Sequence, residues 1–123
     1  MHENEELIRR YWATCDGRDW EGFAATLAPD VVYEAHQTRE RVVGREAYVR
    51  FNAEFPGDWS LSVRRVVADA SGGVAWTDFH VGDEVMTGLH FFTVADGLIR
   101  HVDDFWPEPY EPPPGRAHLV ERW

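Results

Sequence analysis

Gly97-Leu98-Ile99-Arg100-His101-Val102-Asp103-Asp104-Phe105-Trp106 is the stretch on which the reading of this chain turns. It follows an Ala95-Asp96-Gly97 turn signal and precedes a run of prolines, so it reads as a terminal β-strand. If Trp106 faces the core, the two-residue period of a strand sends Val102 and Asp104 to the same side and His101, Asp103 and Phe105 to the other. A carboxylate set among aliphatic and aromatic neighbours is costly to ionise, and such a group is suited to proton transfer.

Three segments of the same character precede it, at 60–68, 74–81 and 85–94, separated by Ser71-Gly72-Gly73 and Gly82-Asp83. Together the four form an antiparallel meander. The first half of the chain is different. Leu7, Ile8, Tyr11, Trp12 and Cys15 recur at three-and-four spacing over 4–15, which predicts an amphipathic helix with Asn4 as its cap. A second short helix is expected through Trp20, Phe23, Ala24 and Leu27, stopping before Pro29. A strand over 31–36 and a third helix over 44–51 complete the order. Helices first and a long meander second make an α+β plan with the helices on one face of the sheet. Five prolines between residues 107 and 115 exclude a central strand there. The segment 107–123 is expected to be an extended strap that packs Tyr110, Leu119 and Trp123 onto the body or onto a second subunit.

Composition narrows the function. A chain of 123 residues with six Trp, seven Phe and four Tyr can bury a full core as a single domain, 1–123. Lys and Arg number 12 against 22 Asp and Glu, a net charge of −10, which argues against nucleic acid or an anionic membrane as partner. The lone Cys15 allows no internal disulfide, and the start of the sequence lacks the basic and apolar regions of a secretory leader, so a cytoplasmic location is expected. His36, His90 and His101 fall on separate strands without His-x-His or His-Glu-x-x-His spacing, so no metal site is expected, and no cofactor is required.

With Arg10-Tyr11, Asp16, Asp19, Glu21, Asp30, Glu34 and Gly44-Arg45-Glu46 in the first half and the Gly97-x-Ile99 to Trp106 strand in the second, the chain resembles the SnoaL-like branch of the nuclear transport factor 2-like superfamily. The resemblance implies a cone-shaped, curved antiparallel or mixed sheet whose concave face is covered by the N-terminal helices. It also implies a largely apolar pocket and a homodimer formed through the convex sheet face. Family members include isomerases, cyclases, epoxide hydrolases and non-enzymes, so the fold leaves the activity open.

Compared with the ketosteroid isomerases of this superfamily, Tyr11 falls on the tyrosine that donates a hydrogen bond to the oxyanion. Their general-base position holds Ala35, and their second donor falls near Thr87. A methyl group cannot move a proton, so steroid-type isomerisation is not expected. Asp104-Phe105-Trp106 is similar to the ending of limonene-type epoxide hydrolases and to the place where SnoaL-like cyclases keep an acid/base aspartate. The hydrolases add an Arg and a second Asp, positions that Trp76 and Asp78 occupy here.

Asp104, Tyr11 and Asp78 are therefore the catalytic candidates, with Trp106, Trp12, Trp76, His80, Val102, Phe91 and Thr87 as substrate-binding candidates. The facing of strand 74–81 stays open, since its other face, Ala75, Thr77, Phe79 and Val81, is the more apolar. The expectation is an acid/base enzyme acting on a small hydrophobic oxygenated molecule. The alternative is a ligand-binding or dimerisation module without catalysis.

Overall fold

A computed structural model describes residues 2–123. The elements run α1 (Glu3–Asp16), α2 (Trp20–Ala24), β1 (Leu27–Ala35), β2 (Glu40–Val43), α3 (Arg45–Ala53), β3 (Trp59–Asp69), β4 (Gly72–Val81), β5 (Glu84–Ala95) and β6 (Leu98–Phe105), followed by one helical turn at Ala117–Leu119. The six strands form one open, curved sheet in the order β2-β1-β6-β5-β4-β3. All neighbours are antiparallel except β1 and β6, which run parallel, so the sheet is mixed. This is the expected α+β architecture.

α1 buries the predicted face, Leu7, Ile8, Tyr11, Trp12 and Cys15, against the sheet. Burying each such side chain contributes roughly 1.5–3 kcal/mol relative to exposure. Its cap is displaced from the expected residue by two. The His2 ring accepts from the Asn4 amide at 3.1 Å, while the Asn4 side chain is buried and donates to the Asp69 carbonyl at 2.8 Å. At the far end, Asp16 accepts from the Leu61 backbone N–H at 2.8 Å, and the Arg18 guanidinium lies 3.5 Å over the Trp59 ring, which ties α1 to β3.

Two boundaries differ from the sequence reading. Leu27 begins β1 instead of ending the second helix, because its register partner is Ile99 and the Ile99 N–H is taken by the Thr26 carbonyl at 2.9 Å. Pro29 and Asp30 are carried outward by a shift of register between Leu27 and Val32, so the proline costs no ladder bond at the buried positions. β2 is an unforeseen edge strand. Its four residues, Glu40-Arg-Val-Val43, are too few and too charged to show alternation, and only pairing with 32–35 makes them a strand. Of the two anchorages expected for the strap, the one on its own body is not made. Tyr110, Leu119 and Trp123 are 87%, 74% and 114% exposed, so they do not anchor on the body of their own chain. Among the described residues, no helix is long and apolar enough to cross a membrane.

The core carries three tyrosines. Burial, reinforced by the nearby charge of Asp104, holds Tyr11, Tyr33 and Tyr48 in the protonated form well above the usual phenol value of 10.0. Only the unfolded chain releases these protons readily. The resulting contribution to stability is complete below about pH 10 and falls as pH rises beyond it. In a Tyr110→Phe variant, an alkaline titration is therefore expected to show phenolate absorbance appearing together with loss of far-ultraviolet ellipticity. Phenolate absorbance from a still-folded chain would contradict this.

Candidate active site

Asp104 sits on the central strand β6, with Ala35 of β1 and His90 of β5 as its register neighbours, so the three side chains stand side by side on the concave face. Asp104 is 4% exposed and His90 is fully buried. Leaving a carboxylate there without partners would cost several kcal/mol. It has two. His90 Nδ1 lies 2.5 Å from Asp104 Oδ1, and the Tyr33 hydroxyl donates to Oδ2 at 2.7 Å. On its other side, His90 Nε2 meets Thr77 Oγ1 at 2.7 Å.

Every group is satisfied when the imidazole carries its proton on Nδ1 and accepts from the Thr77 hydroxyl. The hydroxyl can also turn and accept from Nε2, so the hydrogen-bond geometry of Thr77–His90–Asp104–Tyr33 accommodates either role of that ring nitrogen. Gly88, the register partner of Thr77, makes room for this bond. A Cβ at position 88 would fall 2.6 Å from His90 Nε2 and 2.7 Å from Thr77 Oγ1.

Above this floor lies a cavity of about 220 Å³ walled by aromatic rings, among them Tyr11, Trp12, Tyr33, Tyr48, Phe51, Trp59, Phe79 and Trp106. Asp104 reaches the cavity, whereas His90 is absent from its walls and lies beneath Trp12 and Trp106, with ring centroids 4.4 and 5.2 Å away. A ligand would meet the carboxylate and not the imidazole. The partly exposed Phe55 and Met86, together with exposed Thr38 and Glu40, mark the mouth. Tyr11 and Tyr48 share a hydrogen bond between their hydroxyls, and Tyr48 stacks on Tyr33 at 4.8 Å. Two hydroxyls joined by one bond keep one O–H free to donate. Cys15 also lines the cavity, but burial pushes its thiol up to about 12, against an opposing pull from Arg18, so it stays a neutral wall group. Trp12 Nε1 is buried and without a hydrogen-bond partner among the described residues.

The structure thus brings Asp104, Tyr11, Trp12 and Trp106 to one cavity. Val102 is on the same face but fully buried in the core, outside the cavity wall. The remaining candidates face the other way. Ala75, Thr77 and Phe79 are buried under the helices, so the strand period forces Trp76, Asp78 and His80 to the outer face. There Asp78 binds Arg64 at 2.8 Å, Arg64 lies 5.0 Å from the Trp76 ring, and His80 stands 3.4 Å from Ser62. The expected second carboxylate is therefore not in the site. Phe91 also points outward, 46% exposed against Phe105, and Thr87 shares its parity on β5. Glu34 is on the outer face, bound to Arg41.

The sequence reading missed His90, Tyr33 and Tyr48. His90 alternates with Phe92 and Val94, and Tyr33 with Val31 and Ala35, so their inward aim was open to the two-residue period. That His90 and Asp104 lie opposite each other depends on strand register, which no local pattern records.

The comparisons with known proteins agree with this fold. A crystal structure from Kribbella flavida DSM 17836, provisionally described as a ketosteroid isomerase, is 53% identical, with a TM-score of 0.96 over 98% of this chain and 90% of that one. At the level of fold alone, a structure from Jannaschia sp. CCS1, provisionally described as a SnoaL-like polyketide cyclase, aligns with TM-score 0.75 at 20% identity, covering 85% of each chain. An epoxide hydrolase of the LEH-like type from M. tuberculosis aligns with TM-score 0.71 at 19% identity, over 85% of this chain and 83% of that one. No curated protein matches. The family model for the SnoaL-like domain matches residues 8–102, which include most of α1, Tyr33, His90 and most of the sheet, and the chain belongs to the SnoaL-like domain family.

Proposed function

We propose that this protein is an acid/base enzyme that binds a small hydrophobic oxygenated molecule in the cavity and moves a proton with Asp104. The observation that carries the reading is the buried Asp104 carboxylate, open to an aromatic cavity on one side and held by His90 at 2.5 Å on the other. A carboxylate so placed takes a proton from an acidic C–H or O–H of the ligand and returns it elsewhere on the same molecule. His90, with Thr77 behind it, orients the carboxylate through the hydrogen bond to Oδ1. The Tyr11–Tyr48 pair, kept neutral by burial, offers an O–H to a ligand oxygen on which negative charge develops. Trp12 Nε1 is a second donor that a ligand oxygen would satisfy.

One inward carboxylate suits isomerisation or ring closure, in which a single group removes and restores a proton. It suits less well an epoxide opening that needs two carboxylates and an arginine. Ala35 beside Asp104 is consistent with this, since the acidic group sits one strand over from the isomerase base position. The cavity, about 220 Å³, lies below the range of about 300–1,000 Å³ usual for drug-sized ligands, which favours a ligand of one or two rings. No cofactor is invoked. A second copy of the chain is the partner we expect on the outer sheet face, where Trp76 and Phe91 are 40% and 46% exposed. The single, buried Cys15 accords with a cytoplasmic location.

Turnover of a panel of small cyclic ketones, lactones and epoxides tests the assignment. Asp104→Asn is expected to lower kcat/KM by about 10²–10⁴ while changing ligand affinity less than tenfold. Tight binding with no turnover by either protein would mean a binding module instead. Gly88→Ala, which drives a methyl group between Thr77 and His90, is expected to lower kcat with little change in KM, a split that steady-state kinetics reads directly. Phe91→Asp is expected to convert a dimer to a monomer in light scattering, and a wild-type protein that is already monomeric would remove that partner.

A further inference from the structure

On the outer face of the same two central strands, opposite the cavity, Glu34, His101 and Asp103 bring one ligand atom each within 4.8 Å of one another. We propose that this trio binds a divalent transition-metal ion of the zinc class, with the fourth position left to solvent. The proposal is independent of the acid/base chemistry inside the cone.

The scaffold is rigid. Glu34 and Asp103 are register partners on β1 and β6, and His101 lies two residues before Asp103 on the same face. His101 Nε2 stands 2.9 Å from Glu34 Oε1 and 3.1 Å from Asp103 Oδ1. His36 Nε2 reaches the same Asp103 oxygen at 2.8 Å, its ring stacked on Phe105 at a centroid distance of 4.5 Å. A lone N–H on His101 can serve only one of its two acceptors, whereas a cation among these atoms serves all of them.

Zinc takes imidazole nitrogen at about 2.0–2.1 Å and carboxylate oxygen at about 2.0–2.2 Å in a tetrahedron, so neighbouring donors lie roughly 3.4 Å apart. The two edges at His101, 2.9 and 3.1 Å, need to open by only a few tenths of an ångström, and the third lies within 4.8 Å. Glu34 is oriented for the task by Arg41, whose Nε and a terminal nitrogen bind Oε2 at 2.9 and 2.7 Å and leave Oε1 facing His101. The same contact holds the Glu34 carboxyl below its usual range, so it is available as an anion. Mixed imidazole and carboxylate donors select a borderline ion over calcium or magnesium, which prefer oxygen alone. The chain's net charge of −10 favours any cation.

Zinc chloride titrated into the full chain, followed by calorimetry, is the test. One ion per chain with micromolar affinity is expected, weaker at acidic pH because protons compete for the His101 imidazole. His101→Ala and the near-isosteric pair Glu34→Gln/Asp103→Asn are each expected to weaken binding at least tenfold. His118→Ala and His80→Ala, which alter histidines elsewhere, should leave it unchanged. Thermal melts confirm that each variant is folded. No saturable binding below millimolar zinc, or a loss that follows His118 or His80, would overturn the site.

Discussion

The contact between His90 and Asp104 is the constraint around which the concave face is arranged. A carboxylate in the floor of an aromatic cone is tolerable only while both of its oxygens are hydrogen-bonded, and here one is held by an imidazole and the other by the Tyr33 hydroxyl. The imidazole in turn requires Thr77, and the Thr77–His90 bond requires that residue 88 have no side chain. Four strands are thereby committed to one polar line. Losing any member would leave at least one buried polar group short of a partner, so the cavity's polarity and the register of β1, β4, β5 and β6 depend on each other.

The rest of the wall explains why this line is useful. Tyr11, Trp12, Tyr48, Trp59, Phe79 and Trp106 surround the carboxylate with largely apolar surface without covering it, and low local polarity strengthens every hydrogen bond a ligand makes there. The phenols are held protonated by that same burial, so they act as donors and not as charges. On the proposed function, a carboxylate beside neutral donors in a largely apolar space is what proton transfer at a weakly acidic carbon demands.

The two faces of the central strands serve different chemistry because a strand alternates. Along β6, Val102 and Asp104 look inward, while His101, Asp103 and Phe105 look outward to meet Glu34 and His36 of the neighbouring segment. The acidic and histidine-rich character of 101–104 is therefore two separate sets of groups interleaved in one stretch.

Several features were legible from residues alone. The three-and-four spacing of Leu7 to Cys15, the four-strand meander, the α+β order and the inward aim of Asp104 all follow from local periodicity, since each concerns which side of its own element a residue occupies. What only the tertiary structure decided is which strands lie beside which, and in what register. The facing of Trp76, Asp78 and His80 was ambiguous because both sides of that strand carry bulky groups, and the helices' choice of the Ala75–Thr77–Phe79 side resolved it. β2 became a strand only through pairing with β1, and His90 became Asp104's partner across 14 positions of sequence only through the β5–β6 hairpin. Periodicity is a property of single segments, whereas a site is assembled from contacts between segments, and those are set by packing the whole sheet against its helices.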